Sequence, residues 1–137
     1  MQPVLEKVGP SPHYLTEVAV LDDEVLAVAV FPTSDKTIGD RVDHANVSHL
    51  YFGIWNAAHL LCQKRGLVNP VTTTGSYKCL QKIPPDTSVY LLFRCHHRNL
   101  GGEHVLGEFR ARYTDHSGKK LALFEGRFKA QKVLSPG

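Results

Sequence analysis

Hydrophobic and polar positions follow two different periods along the chain: a helical period in the middle and a period of two after it. The first segments consist of short apolar runs interrupted by polar residues. Two apolar runs within residues 14–31 are separated by the acidic stretch at residues 22–24. Short apolar runs on both sides of a tight polar turn are typical of a β-hairpin. We therefore predict two strands here, preceded by an extended lead-in over residues 1–12, which contains prolines and a glycine, and followed by a polar loop.

Residues 46–66 change to a helical period. Apolar side chains recur three and four positions apart, and further apolar residues occupy the opposite side. Asn46 or Ser48 can serve as the N-cap, and Gly66 provides a stop signal. A helix that is apolar nearly all round is usually buried, so we predict one long helix of about five turns, wrapped by other elements.

After the helix the chain returns to a period of two. The runs 71–83, 89–95, 105–113 and 122–130 are rich in strand-forming residues, and turn-forming residues separate them. We predict four antiparallel strands, each with one apolar face. A sheet with one apolar face can bury an apolar helix by curling around it, which predicts an α+β fold with about six strands around one central helix. This element order is the layout of the hotdog fold.

Composition and charge narrow the class of protein. The 137 residues are 42% apolar and 21% charged, so we expect a single globular domain over residues 1–137. The net charge of +3 is too small and too scattered to indicate nucleic-acid binding, but it suits a polyanionic ligand such as a nucleotide-bearing cofactor. No apolar run approaches the roughly 20 residues that span a bilayer, and no export signal is recognisable. We expect a soluble cytoplasmic protein.

The cysteines and histidines do not form a metal-site pattern. The three cysteines, Cys62, Cys79 and Cys95, are widely spaced and odd in number, so we expect reduced, structural thiols rather than disulfides. His96 and His97 fall in an alternating strand, which sends their rings to opposite faces. We therefore expect no metal.

The open edges of the predicted sheet favour pairing with a second copy, as a homodimer or a higher oligomer.

Candidate chemistry is concentrated at the start of the helix. Unpaired backbone N–H groups and the positive end of the helix dipole lie there, and they can hold a thioester carbonyl and stabilise its oxyanion. The alternative interpretation is that the asparagine and serine only cap the helix and that the first histidine is only a loop residue. The polar residues that lead into this start are Asp43, His44, Asn46, Ser48 and His49.

Acidic residues are absent from positions 44–85, which excludes a carboxylate on the helix. An acid or base from this region must be Asp40, Asp43, His44 or His49, unless amides hold a water instead. Asn56 lies well inside the helix, and a buried amide must find partners, either structural or in a site. We include its neighbour Trp55 among the candidate substrate-binding residues.

Basic residues alternate along the last two strands. Arg110 and Arg112 are followed by Arg127 and Lys129 at positions that we expect on the outer face of the sheet. One interpretation is a solvated sheet face. The other is a patch that contacts the phosphates of coenzyme A, with Arg110 and Arg112 as substrate-binding residues.

The loop and helix resemble the FcoT-like fatty-acyl-CoA thioesterases of the hotdog superfamily. The family has a His-x-Asn motif at the start of its helix, a second asparagine further along and a tyrosine at the first strand. Here His44-Ala45-Asn46 matches the motif and Tyr14 is the candidate tyrosine. Asn56 corresponds to the second asparagine, one residue later than in the family. The resemblance covers roughly residues 14–62.

This resemblance implies a thioesterase that acts on an acyl-CoA or acyl-carrier-protein thioester in fatty-acid or polyketide metabolism. Asn46, Asn56 and Tyr14 would orient the attacking water, and His44 or Asp43 would act as general base. Coenzyme A or phosphopantetheine would enter only as part of the substrate, with no separate cofactor. The acyl chain would lie along the helix at the interface of a homodimer, or of a tetramer or hexamer. The alternatives are a β-hydroxyacyl-thioester dehydratase or isomerase, and a non-catalytic acyl-CoA binding module.

Overall fold

The computed structural model describes residues 6–7, 14–31 and 47–133. Within these residues one helix and seven strands form in chain order. They are β1 (Glu6–Lys7), β2 (Leu15–Val20), β3 (Glu24–Ala29), α1 (Val47–Lys64), β4 (Leu67–Cys79), β5 (Val89–Gly101), β6 (His104–Thr114) and β7 (Lys120–Lys132).

The strands form one antiparallel sheet in the order β1-β2-β3-β5-β6-β7-β4. The helix packs against one face of this sheet, and both contribute to the same buried apolar cluster. The predicted α+β class, with an antiparallel sheet and one helix, is therefore confirmed. The strand beyond the predicted six is the two-residue β1, which lies in the N-terminal lead-in.

The β2–β3 hairpin anchors the C-terminal end of the helix. Its turn closes through a hydrogen bond from the backbone N–H of Leu21 to the carbonyl of Glu24, at 2.8 Å. Lys64 Nζ donates to the Val20 carbonyl at 3.0 Å, and the Arg65 guanidinium donates to the Asp22 carbonyl, with 2.8 Å from Nε. Cationic side chains at a helix C-terminus also suit the helix dipole, so the two elements stabilise each other.

One side of α1 is exposed in the single chain. Phe52 is 40% exposed, and His59 and Gln63 are exposed as well. These positions are spaced by seven and four residues, which places them on one stripe of the helix. The prediction that the whole helix is wrapped is wrong for the single chain, because one sheet covers only one side of a helix.

No helix in the described part of the chain has the length and apolarity needed to cross a membrane.

Strand β4 begins and ends earlier than the predicted run 71–83. It starts directly after Gly66, whose positive φ of 68° allows a tight turn into the strand. Pro70 lies inside β4, where the pairing with β7 is irregular between Val68 and Val71. An edge strand can accept a proline because one side of its backbone makes no hydrogen bonds within the sheet. The alternation rule missed this start because proline normally argues against a strand.

Aromatic rings on the inner face of the sheet lie directly on glycines. A Cβ built on Gly126 would lie 2.6 Å from the Phe109 ring, and one on Gly107 would lie 2.6 Å from Cε1 of Phe128. Real Cβ atoms do not approach other atoms this closely, so only glycine fits at either position. The Phe109 and Phe128 rings are therefore packed tightly onto the sheet.

Candidate functional site

His49, in the first turn of α1, lies at the meeting point of the helix start and the first hairpin. Its side chain is 5% exposed. The Tyr14 ring contacts it edge-on with centroids 5.1 Å apart, and the Phe31 ring is stacked with centroids 6.5 Å apart. Tyr14 precedes β2 and Phe31 follows β3, so both open ends of the hairpin reach the start of the helix.

Tyr14 holds an unusual backbone conformation, with a φ of +71°. Its carbonyl accepts a hydrogen bond from the Val30 N–H at 3.0 Å. A left-handed conformation in a bulky residue costs on the order of 1–3 kcal/mol and persists only where the surroundings determine it. Local strain of this kind is concentrated at functional sites, which marks Tyr14 as a candidate beyond its ring contacts.

A buried tyrosine on β6 fixes the height of the helix above the sheet. The Tyr113 hydroxyl donates to the Leu50 carbonyl at 2.7 Å. Complete burial raises the pKa of Tyr113 far above its usual range, so the hydroxyl keeps its proton. Gly53 lies over this hydroxyl, and a Cβ there would overlap it. Sequence reasoning missed this pair, whose only signals were a tyrosine among inner-face positions and a glycine inside a helix.

A second aromatic group joins α1 to the edge of the sheet. Tyr51 packs edge-on against Phe124 at 5.0 Å and against Tyr77 of β4 at 6.1 Å between centroids. Burial, and to a lesser extent the neighbouring Tyr77, raises the pKa of Tyr51. These contacts hold β4 against the helix although most of that strand is exposed.

Asn56 lies on the same side of α1 as His49 and seven residues later, which is two turns or about 10.5 Å along the axis. The prediction of a buried amide is only partly right, because Asn56 is half-buried, like its neighbour Trp55. The Asn56 amide makes no hydrogen bond within the described residues, so it is available to a ligand or to a second chain. Trp55 contacts the His59 ring edge-on, with centroids 5.0 Å apart.

No protein-family profile and no curated protein sequence matches this chain. Solved structures do match it. AziG from S. sahachiroi aligns with a TM-score of 0.67 at 11% identity, over 88% of this chain and 94% of its own. The smu.793 protein of Streptococcus mutans, bound to acetyl CoA, aligns with a TM-score of 0.66 at 13% identity, over 93% and 96%. A hypothetical thioesterase of Streptococcus pneumoniae with coenzyme A aligns with a TM-score of 0.64 at 15% identity, over 85% and 88%.

The chain has the hotdog fold. The fold predicted from the element order is thereby confirmed, together with the resemblance to hotdog-fold thioesterases at the level of structure. Since the identities are 11–15%, the likeness concerns the path of the backbone rather than particular site residues.

Several candidate residues of this hotdog chain lie outside the described residues. They are Asp43, His44 and Asn46, together with the side chain of Ser48. Of the catalytic candidates, Tyr14 and Asn56 are therefore the ones with described surroundings. His49 and Trp55 are the substrate-binding candidates on the helix with described side chains, and the structure brings His49 into contact with Tyr14.

Arg110 and Arg112 lie on the outer face of the hotdog sheet, turned away from α1, as predicted from the alternation. Arg110 Nε lies 3.5 Å from Oε1 of Glu125 on β7. The sheet therefore separates both arginines from the helix start. Their predicted contact with coenzyme A phosphates stays a prediction.

The cysteines divide into two buried thiols and one exposed thiol, and all three are free. Burial raises the pKa of Cys62 to about 11 and that of Cys95 to about 12, so both remain protonated and poorly nucleophilic near neutral pH. Cys79, at the end of β4, is exposed, so the expectation of a buried structural thiol does not hold there. Within residues 14–31 and 47–133 no three histidines, cysteines or carboxylates are grouped as metal ligands.

Proposed function

We propose that this hotdog protein is a thioesterase that hydrolyses an acyl thioester of coenzyme A or of an acyl carrier protein. The contact between Tyr14 and His49 is the observation that supports this most directly, because it joins the first-strand tyrosine to the start of the helix. Tyr14 is one of the residues on which the sequence resemblance to FcoT-like thioesterases rests, and the His44-Ala45-Asn46 motif directly precedes this helix start in the sequence. Structural neighbours that include thioesterases, and others solved with coenzyme A or acetyl CoA, support the same class of reaction.

In the proposed reaction a water attacks the thioester carbonyl carbon, the C–S bond breaks, and the proton released by the water reaches the leaving thiolate. The first N–H groups of α1 polarise the carbonyl and stabilise the oxyanion. Asn46 and Asn56, with the Tyr14 hydroxyl, orient the water, and His44 or Asp43 accepts its proton. Ser48 and His49 contact the substrate beside the carbonyl.

The acyl chain, in this proposal, follows the exposed stripe of α1. Phe52 on this stripe and the half-buried Trp55 beside it offer apolar surface next to the Asn56 amide. A single chain leaves this surface open to water, so a second chain is needed to close a tunnel around a fatty-acyl group. The proposed site is therefore complete only in an oligomer.

The edge strand β4 supports a homodimer as that oligomer. It pairs with β7 on one side, and on its other side no strand of the described chain pairs with it. Val71 is 61% exposed and Tyr77 is 51% exposed on this strand. A long exposed edge with apolar side chains is normally covered in a native protein. Two copies of β4 pairing with each other would satisfy the edge and continue the sheet across both chains.

The proposed setting is the cytoplasm, in fatty-acid or polyketide metabolism, with coenzyme A or phosphopantetheine as part of the substrate rather than as a separate cofactor. The free thiols of Cys62 and Cys95 suit a reducing compartment.

The proposal is tested by measuring thiol release from a series of acyl-CoA esters and acyl carrier proteins. We expect turnover by the unmodified protein, and a fall in kcat of about 10²- to 10³-fold in Asn46→Ala, the typical effect of removing one preorganised amide. Tyr14→Phe should lower kcat while the protein remains folded. Asn99→Ala is the matched control, since this exposed asparagine lies near the far end of β5 and should leave turnover unchanged.

Unchanged turnover in Asn46→Ala would refute the amide-based site. A protein that binds acyl-CoA saturably but releases no thiol would refute hydrolysis. In that case enoyl-product formation from a β-hydroxyacyl thioester separates a dehydratase from a non-catalytic binding module.

A further inference from the structure

The side of α1 that the sheet leaves uncovered changes from apolar to polar along its length. Phe52 is 40% exposed, and the half-buried Trp55 lies beside it. The exposed positions that follow are His59 and Gln63, and the basic Lys64 ends the helix. The first half of the exposed stripe therefore suits an acyl chain, whereas the second half presents polar side chains to it.

The polar half begins at a defined place. The Trp55 and His59 rings meet edge-on, with centroids 5.0 Å apart and planes at 81° to each other. Side chains on a helix tilt toward its N-terminus, and this contact holds the imidazole beside the last apolar side chain of the stripe. Leu60, the next apolar residue along the helix, is half-buried and packs against the buried core cluster. An acyl chain that passes Trp55 therefore meets His59 rather than further apolar surface.

We propose that the contact between Trp55 and His59 ends the acyl pocket, so that this protein accepts acyl groups of at most about ten carbon atoms and discriminates against long-chain ones. The inference rests on the proposed function, in which the acyl chain follows the exposed stripe from the helix start. It adds His59 as a specificity-determining residue at the far end of that stripe.

The length of the apolar stretch sets the limit. Trp55 lies seven residues after Ser48, which is about 10.5 Å along the helix axis. An extended chain advances about 1.2 Å per covalent bond, so about nine bonds fill this distance. Wherever the thioester carbonyl lies along the first two turns, the acyl tail reaches His59 within that number of bonds. An apolar stripe over all 18 residues of α1 would be about 27 Å long and would accept long-chain acyl groups.

A longer chain would have to cover polar groups. Each methylene group that moves from water onto apolar surface strengthens binding about fourfold. That gain stops at His59, because an acyl chain lying over an imidazole or an amide removes the hydrogen bonds of that group to water. Beyond it Gln63 is exposed, and Lys64 Nζ donates to the Val20 carbonyl at 3.0 Å. Discrimination against long chains therefore comes from the polarity of the stripe, which a substitution can change.

The first test measures kcat/KM for straight-chain acyl-CoA esters from acetyl-CoA to palmitoyl-CoA, each kept below the concentration at which it forms micelles. We expect kcat/KM to rise about fourfold per added methylene group as far as about the decanoyl ester. For palmitoyl-CoA it should be at least about tenfold lower than for decanoyl-CoA, because the longer chain covers His59 and Gln63.

Replacing the histidine should shift the limit. His59→Leu extends the apolar stripe by four residues, to Gln63, which corresponds to about 6 Å or about five further bonds. The ratio of kcat/KM for myristoyl-CoA to that for octanoyl-CoA should then rise at least about tenfold. His116→Leu is the matched control, since it makes the same substitution in the exposed turn between β6 and β7 and should leave this ratio unchanged. Both histidines are exposed, so both variants should remain folded.

Binding of S-alkyl-coenzyme A thioethers measures the limit without hydrolysis. A thioether has no carbonyl group for water to attack, so its dissociation constant reports the pocket alone. We expect the affinity to rise with alkyl length up to about ten carbon atoms, and to continue rising beyond that length in His59→Leu. A protein that binds the thioethers in this way but releases no thiol from the esters would support the chain-length limit and contradict the proposed hydrolysis.

Two results would overturn the chain-length limit. One is a kcat/KM or a thioether affinity of the unmodified protein that rises as far as the palmitoyl length, or that does not depend on length at all. The other is a chain-length profile that is the same in His59→Leu as in the unmodified protein. Thiol release from long-chain esters in either case would leave the proposed thioesterase activity intact.

Discussion

The two faces of this sheet are built from alternate residues of the same strands, yet they have different roles in the structure. On the inner face Tyr113 and Phe124 are at most 1% exposed and pack under the helix. On the outer face their near neighbours in sequence, Arg112 and Glu125, are exposed. The inner face determines where the start of α1 lies, whereas the outer face is in contact with solvent in the single chain.

This difference between the two faces predicts which substitutions affect the stability of the chain and the position of the site. The hydrogen bond from the Tyr113 hydroxyl to the Leu50 carbonyl is fully buried and joins residues that are 63 positions apart in the sequence. Its loss should therefore affect the position of the helix start. Outer-face ion pairs join exposed side chains, and such pairs typically contribute about 0–1 kcal/mol each. Inner-face substitutions should therefore affect both stability and site, and outer-face substitutions should affect neither in the single chain.

The largest effect is expected from Gly107→Ala. The added methyl group would press into the Phe128 ring, and overpacking of this kind costs about 1–3 kcal/mol or more of unfolding free energy. Gly75→Ala is the matched control, because the nearest atom to its Cβ lies at 3.8 Å and that change should stay within about 0.5 kcal/mol. Urea denaturation measures both, and equal stabilities would contradict the packing argument.

Removing the inner-face hydroxyl should have the next largest effect. Tyr113→Phe leaves the ring in place but takes away the donor to the Leu50 carbonyl, which costs about 1–3 kcal/mol of unfolding free energy for a buried bond. We also expect lower kcat for thiol release, since the helix start loses its support. Tyr90→Phe, at a tyrosine that is 40% exposed on β5, should change neither quantity. An equal loss of unfolding free energy in Tyr113→Phe and Tyr90→Phe would contradict a special role of the buried Tyr113 hydroxyl.

An outer-face pair should respond weakly. Glu24→Gln removes the partner of Arg94, whose Nε lies 3.7 Å from Glu24 Oε2. The Arg94 side chain is 62% exposed, so we expect a change in unfolding free energy below about 0.5 kcal/mol, smaller still in high salt. Thermal unfolding at two salt concentrations measures this. A loss above about 1 kcal/mol would show that the outer face contributes to the stability of the chain.

The smallest effect is expected at the turn between β6 and β7. The Asp115 carboxylate accepts hydrogen bonds from the Ser117 hydroxyl at 2.6 Å and from the Lys119 N–H at 3.0 Å. These bonds lower the pKa of Asp115. A lowered pKa in the folded state means that the stabilisation is present above the unfolded pKa, about 3.9, and is lost as the pH falls through the folded value.

Asp115→Asn should therefore lower Tm slightly at neutral pH, and the difference from the unmodified protein should disappear in acid. Asp23→Asn, in the other exposed turn, is the control and should show no such convergence. A Tm difference for Asp115→Asn that persists unchanged in acid would mean that the turn depends on something other than the charged carboxylate.

The spacing of apolar residues predicted the fold because the helix and most strands each show the period of their own secondary structure. The hairpin, the helix of about five turns and the last three strands follow directly from the spacing of apolar residues. The start of β4 was missed because Pro70 is acceptable only on an edge strand, and strand order is not a local property. The exposed stripe of α1 was missed for a similar reason, since apolar residues on a helix do not show whether the covering surface comes from the same chain.

The candidate site was predictable only in part. Helix-start chemistry pointed to the region of His49, and the resemblance pointed to Tyr14, which the structure places in contact with it. The roles of Asp43, His44 and Asn46 stay predictions. Tyr113 and Gly53 could not be paired from the sequence, because they lie in different elements and meet only when the sheet packs on the helix.

The unequal burial of the three thiols has a practical consequence for labelling chemistry. Cys62 and Cys95 are buried and protonated near neutral pH, so a maleimide dye should attach to Cys79 first. That residue ends the edge strand across which a second chain would pair. The wild-type protein thus carries its own attachment point for a fluorophore or a spin label, and distance measurements between two labelled copies need no engineered cysteine.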